Sequence, residues 1–575
     1  MATSREFRQA MRDRLLRHAT EVLLQVVLPK DDEHALSLTG EDLIRKGEEL
    51  ARRYGPSREN RVVLLLLPHS AELFLLHLGL ILSGNIPAIL AWPTSRIDPE
   101  KYQRNLIHQL RNLPADHIIT LPRLAQNLTG TLPYPAVGCP VETAVAYEKL
   151  FQVPLDLERH SPGPRDEASH TDPSALFLQF SGGTTGAQKA VVVTATMLEE
   201  QLERLREALA FGADDRVVSW LPLYHDMGLI ACLWLPLWTG VPSVHIGAND
   251  WVVNPELLFF HADRCRSTFC WLPNFAFSYL AQSRARAAAR HDLSSVRGWV
   301  NCSEPVRMRS MQSFFETFAD WGVNENSLQA SYALAENVFA ATQTRVGQIP
   351  PLVPRSAIRD RSKSYSELAF DLIDDVFVSS GQPLRDMEVR IFDPRGGVAP
   401  ERVSGEIQIR TPSLFAGYWG NQGFTRCSLS PDGWHSTGDF GFLSEGELYV
   451  IGRIKDIIII GGQNIFPEDV EAIVNTLPEI HRGRVVAFGV DDQELGTQAL
   501  AIVAEIKDSV QGSAIRGVEA EIRRLVLTTI AVAPRYVAAV PQRWIVKSTA
   551  GKISRRDTRE RFMLEKISPM SGEGA

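Results

Sequence analysis

The sequence predicts an α/β protein: a large N-terminal domain of layered α/β sheets with a β-rich subdomain, followed by a small α+β C-terminal domain. Three observations predict it. Apolar runs of strand length alternate with helix-length segments from Val62 to Ile246. Short alternating strands bounded by Gly, Pro, Asp and Ser fill Val376 to Tyr449, and a compact mixture of helix and strand follows Gly452. With 575 residues the chain exceeds one ordinary core, so several packed units are expected.

Composition narrows the class. Apolar residues make up 44% and charged residues 22%, close to average globular usage and unlike a disordered, fibrous or coiled-coil chain. Lys plus Arg number 60 against 68 Asp plus Glu, and this net charge of -8 argues against a nucleic-acid partner, although a local basic pocket stays open. Six cysteines (Cys139, Cys232, Cys265, Cys270, Cys302 and Cys427) form no CxxC pair, which fits a reduced, cytoplasmic setting.

Taken in order, MATSREFRQAMRDRLLRHATEV carries charges throughout and reads as a helix of the mature protein, not as a signal peptide. Val62 to Leu82 is broken by Pro68, His69, Glu72 and His77, short of the roughly 18 clean apolar residues a membrane span needs. It reads instead as a strand to Leu67, a turn over Pro68 to Ser70 and a helix over Ala71 to Leu82, with a second strand at Ile86 to Leu90. That is one βαβ unit of a buried parallel sheet. Apolar runs at Ala175 to Phe180, Ala190 to Thr194, Val217 to Leu221 and Val241 to Ile246 continue the body, separated by helix-length polar or mixed segments. MEVRIFD and GEIQIR then mark the β-rich part. A helix opening at Pro467, the strands VVAFGV and ALAIVAEI, a helix near Ile515 to Leu527 and a basic tail make the last unit, about 120 residues long, a usual domain size. The boundary falls at Lys455, giving domains 1–454, with the β-rich part at about 376–454, and 455–575.

Six segments could carry chemistry. SGGTTGAQK, Ser181 to Lys189, directly follows the apolar run LFLQF; its glycines let backbone amides approach a phosphate while Ser181, Thr184 and Thr185 donate to it, though a plain Ser/Gly turn has the same composition. It does not fit the Walker pattern GxxxxGK[ST]. LPLYHDMGLI places His225 and Asp226 in an apolar run at a strand end, where α/β ligand crevices lie and where a structural histidine could equally sit. In SYALAE, Tyr332 could stack a base and Glu336 could hold a hard cation, or the pair could be a buried tyrosine and a solvated glutamate. STGDFG offers Asp439 in a Gly turn suited to a ribose diol. GRIKDIIIIGGQNIFPEDVE sets two charged pairs across the domain boundary, and KSTAGKISR is a basic loop whose Lys552 is either a mobile point charge or part of a solvated tail.

In this order and spacing the six segments resemble the core motifs of the adenylate-forming superfamily, which includes acyl-CoA synthetases, peptide-synthetase adenylation domains and luciferases. The likeness runs from about Leu36 to Arg556. It implies that Ser181, Gly183, Thr184, Thr185, Gly186 and Lys189 surround the phosphates of ATP, and that Ser303, Glu304, Tyr332 and Ala333 line the nucleotide, Tyr332 against adenine. It implies that Glu336, with Thr184, ligates Mg2+, that Asp439 takes the ribose hydroxyls and that Arg453 contacts ribose or phosphate. Lys455 becomes the hinge, Lys552 bridges the carboxylate and the α-phosphate, and His225 joins them at the reacting end.

Within the superfamily the chain looks most like the fatty acyl-AMP ligases, by HDMGLI at 225 to 230, LPNFAF at 272 to 277, NCSEPV at 301 to 306 and a long interval from Glu336 to SGQPL at 380 to 384. That likeness implies a carboxylic or fatty acid substrate, an extra segment that hinders rotation of the small domain, and delivery of the acyl group to an acyl or peptidyl carrier protein. Free CoA as acceptor, or a non-catalytic acyl-binding module, are the other readings. The chain departs from the common pattern at Gly182, Gln188, Ala190, Cys302, Ala333 and Val546. Cys302 and Ala333 add a Cβ where Gly is usual, which predicts a tighter adenine pocket.

Overall fold

The computed structural model describes residues 3–28, 31–92, 102, 106–107, 109–110, 113–128, 132, 134–141, 174–181, 189–358, 376–393, 397–460, 463–492, 497–547 and 553–567. Statements of absence or number below concern these residues. The expected N-terminal helix is Ser4–Arg17, capped by Thr3 and Glu6, which bond each other's backbone N–H groups.

Two large sheets form the body. One has six strands in the order Ala136–Gly138, His117–Thr120, Val62–Leu66, Ile86–Ile89, Ala175–Phe180 and Ala190–Thr194. The predicted βαβ unit is here, with parallel strands Val62–Leu66 and Ile86–Ile89 joined by the helix Ala71–Leu82, buried at every position but Glu72. Ala175–Phe180 and Ala190–Thr194 pair antiparallel, as the nine residues from Ser181 to Lys189 that join them are too few for a parallel connection.

The second sheet has nine strands. Six of them run parallel: Val22–Leu28, Ser243–His245, Val217–Ser219, Phe269–Leu272, Gly298–Asn301 and Leu328–Ala333, in that lateral order. Helices cover them, and their apolar faces belong to one large core shared with the first sheet.

A five-stranded antiparallel sheet, Gly397–Val398, Glu388–Asp393, Gly405–Arg410, His435–Ser444 and Glu447–Arg453, is the β-rich part. Beyond it, a three-stranded sheet of Ile480–Asp492, Thr497–Ile506 and Tyr536–Val540 packs with the helices Pro467–Val474 and Ser513–Ile530 around a separate core of Ile473, Val485, Ile502 and Ile522. No described helix is long and apolar enough to cross a membrane.

Candidate active site

The C-terminal ends of parallel strands collect the candidate residues. Tyr332 lies at the end of Leu328–Ala333, Ser303 and Glu304 follow Gly298–Asn301, and His225 follows Val217–Ser219. This edge is where open α/β sheets bind ligands.

Three residues the sequence singled out for a nucleotide meet at one end of this edge. Strands His435–Ser444 and Glu447–Arg453 pair Asp439 directly opposite Arg453. Asp439 Oδ1 lies 3.2 Å from Arg453 Nε, and Asp439 Oδ2 accepts the Tyr332 hydroxyl at 2.7 Å. Burial, then the Asp439 charge, holds the Tyr332 phenol well above its ordinary pKa, while Asp439 raises that of Arg453. Tyr332 therefore stays a neutral donor and Asp439 a fixed acceptor. Ala333 sits one residue on, at an irregularity in the pairing with Ala340.

Glu336 rides on a single helical turn, Ala335–Asn337. The next residue, Val338, has φ 62°, a left-handed conformation that a β-branched side chain adopts only under constraint. Gln179 supplies the constraint: from the buried strand Ala175–Phe180 its amide nitrogen donates to the carbonyls of Ala335 and Val338, both at 2.8 Å. Glu336 Oε1 accepts the Tyr418 hydroxyl at 2.8 Å, and Lys189 Nζ lies 4.5 Å from the centre of the Tyr418 ring. One aromatic ring thus stands between the Lys189 ammonium and the Glu336 carboxylate. Ser181 N–H donates to the Lys189 carbonyl at 3.0 Å, which closes the neck of the loop. Gly183, Thr184, Thr185 and Gly186 lie outside the described residues, as does Lys552.

Further along this edge, Glu304 Oε2 accepts the backbone N–H of Phe275 at 3.0 Å, and Ser303, at φ 71°, directs its hydroxyl toward Met227 Sδ at 3.9 Å. This joins the NCSEPV, LPNFAF and HDMGLI segments. His225 itself stands six residues beyond its strand, on the loop into the wide helix Met227–Trp234. Gly228 lets that loop approach, because a Cβ there would come within 2.4 Å of the Pro222 carbonyl.

Lys455 lies on the short helix Ile454–Asp456 between the two cores. Surrounding protein and then the Arg453 charge push its ammonium down to about 8, a drop that the water still reaching it opposes. Beside it, Arg555 of the KISR segment bonds Asp456 at 3.0 Å, Glu468 at 3.3 Å and Glu471 at 2.8 Å. Sequence reasoning passed over this anchor, together with Gln179 and Tyr418. The polar residue inside LFLQF was the available signal for Gln179, since buried strands carry few unpaired amides.

The AMP-binding enzyme family matches residues 49–419, well over half of the chain. The chain belongs to that family. Among similar proteins is the medium-chain fatty acid:acyl-carrier-protein ligase JamA of Moorena producens, 31% identical over 402 residues, 67% of each chain. The long-chain fatty acid AMP ligase FadD26 of Mycobacterium marinum is 28% identical over 532 residues, 87% of each. A solved structure of fatty acyl-adenylate ligases from E. coli and L. pneumophila superposes with TM-score 0.79 at 24% identity, covering 99% of this chain and 98% of that one. The α/β layers, β-rich sheet and small α+β unit of this AMP-binding enzyme are thus those of adenylate-forming ligases.

Proposed function

We propose that this enzyme joins a carboxylic acid, a fatty acid by the names of its relatives, to the AMP moiety of ATP, and then passes the acyl group to the phosphopantetheine thiol of a carrier protein. A carboxylate oxygen attacks the α-phosphorus; the bond to the β-bridging oxygen breaks and pyrophosphate leaves. The thiolate then attacks the acyl carbon and AMP departs.

The observation that carries this reading is the pair of linked sets Tyr332–Asp439–Arg453 and Lys189–Tyr418–Glu336, near enough that the Glu336 charge helps that of Asp439 raise the pKa of Arg453. Asp439, already held by two donors, takes the ribose diol; Tyr332 packs the adenine; Lys189 and Arg453 neutralise phosphate charge. Lys552 brings its ammonium to the attacking carboxylate and α-phosphate. His225, on its loop at the acyl end, borders the reacting carboxyl.

Among the described residues no three His, Cys, Asp or Glu side chains cluster to hold a metal alone. A single carboxylate completed by nucleotide phosphates and water is a ligand set Mg2+ accepts, and Glu336, with one oxygen occupied by Tyr418, fits it. Bound there, Mg2+ would supply charge neutralisation at the phosphates.

The separate core beyond Ile458 supports domains 1–454 and 455–575, turning about Lys455 between adenylation and transfer. The free cysteines support a reducing, cytoplasmic setting. The test is acid-dependent pyrophosphate release from ATP across a panel of carboxylic acids. Release that ignores the acid would refute the reading.

A further inference from the structure

The following rests on the acid-activating reading above. The parallel strands of the nine-stranded sheet place their C-terminal ends in a row: Leu328–Ala333, Gly298–Asn301, Phe269–Leu272, Val217–Ser219, Ser243–His245. The first two carry the nucleotide residues. With the carboxylate beside His225, as that reading has it, an acyl chain leaving it would have the next strand ends ahead of it, and these present Phe275, Trp220 and, on the helix Ala248–Val253, Trp251.

Trp220 and Trp251 stack with ring centres 3.7 Å apart and planes 3° from parallel, and they are 4% and 0% exposed. Phe275, whose N–H is bonded to Glu304, meets both rings edge-on at 6.2 and 6.5 Å. Tyr279 packs on Trp251 at 5.4 Å and donates its hydroxyl to the Val252 carbonyl at 2.8 Å. The pair is thus clamped by two residues of the helix Asn274–Ser283, and separating it would give up a stacked contact as well as its buried area.

We infer that the Trp220–Trp251 stack is the end wall of the acyl pocket and restricts this enzyme to acids of medium length or shorter. Neighbouring strands lie about 4.8 Å apart, so two steps from Gly298–Asn301 to Val217–Ser219 give roughly 10 Å. A staggered chain of about eight carbons, with ~1.5 Å bonds, fills that length. Palmitate does not fit unless the indoles separate.

The experiment measures kcat/KM for acyl-AMP formation by the full-length enzyme with acetate, hexanoate, octanoate, dodecanoate and palmitate. Wild type should favour octanoate over palmitate by at least tenfold. Trp251→Ala and Trp220→Leu should raise the palmitate-to-octanoate ratio at least tenfold, and Trp220→Phe, the mildest change, should give an intermediate shift should the others fail to fold. The ratio isolates chain length, since general damage lowers both substrates together. Equal use of palmitate by wild type, or an unchanged ratio in a folded variant, overturns the inference alone. No acyl-AMP from any acid overturns the functional reading and this inference with it.

Discussion

Arg355 donates two parallel hydrogen bonds to Asp469, at 3.1 and 3.0 Å, from Nη1 to Oδ2 and from Nη2 to Oδ1. The two residues belong to different parts of the chain: Arg355 lies in the long interval after Glu336, and Asp469 opens the helix Pro467–Val474 beyond Lys455. Asp469 is 2% exposed, and Arg307 adds a second guanidinium 3.6 Å away. A planar bidentate pair of this kind would resist rotation of a small domain beyond Lys455, because parting the two residues gives up two charge-assisted hydrogen bonds at a buried carboxylate.

The restraint predicts the acceptor. Given labelled acid, ATP and CoA, the wild-type enzyme should accumulate acyl-AMP and form little acyl-CoA, and a phosphopantetheinylated carrier protein should consume the adenylate. Replacing both partners, Arg355→Leu with Asp469→Leu, removes the bidentate pair without stranding either of its charges, leaves only the partly exposed Arg307 without that carboxylate, and frees the rotation, so acyl-CoA should appear at least tenfold faster while adenylation persists. Prompt stoichiometric acyl-CoA from wild type would instead identify a CoA synthetase.

Tyr332→Phe tests the nucleotide end. It keeps the ring and removes only the hydroxyl that Asp439 accepts, leaving a buried carboxylate one donor short. At about 1–3 kcal/mol for such a loss, KM for ATP should rise between several-fold and a hundredfold. An unchanged KM would detach Asp439 from the ribose.

Lys552→Ala should reduce acyl-AMP formation by about two to three decades, the scale of one lost charge donor in the transition state, with little change in ATP affinity. Glu336→Gln should raise the Mg2+ concentration needed for half-maximal rate, and chelator should abolish wild-type activity reversibly. Wild-type rates in either variant, measured by pyrophosphate release, would displace that residue from the site.

Much of the architecture was legible because period and punctuation are local. Ala71 to Leu82 is a helix over that span, and Pro467 begins one as a proline at a first turn should. The direction of Ala190–Thr194 was not legible, because an apolar run states that a strand is buried, not which way it runs; the length of the connection decided that. The described site residues Tyr332, Asp439, Arg453 and Glu336 stood out as polar groups in apolar or glycine-bounded settings. Tyr418, Arg355 and Asp469 did not, since nothing local distinguishes an exposed residue from one whose partner lies 82 or 114 positions away.

Acid should destabilise the fold through buried histidines. His69, His77 and His245 are enclosed by Phe74, Phe177 and Trp234, and burial pushes their pKa values down to about 4, 3 and 3. His77 Nε2 accepts the indole N–H of Trp234 at 3.3 Å, a bond an imidazolium cannot make. Each is neutral in the folded chain and protonated below about 6.5 in the unfolded one. Their stabilising contribution is therefore complete above about pH 6.5 and is lost as pH falls toward 4, at about 1.4 kcal/mol per pH unit for each. His117 and His435 move the same way, also by burial. Glu471 opposes them: burial raises its carboxyl to about 7, so the folded chain takes up that proton first and gains stability as pH falls from about 7 to 4.5. The balance is an uptake of at least two protons on unfolding between pH 6 and 5, read from the pH dependence of denaturant unfolding. His77→Gln, which offers Trp234 an amide oxygen and does not titrate, should lower that uptake by about one proton. A pH-independent midpoint over this range, or a slope unchanged in the variant, would show that these imidazoles are protonated in the native chain.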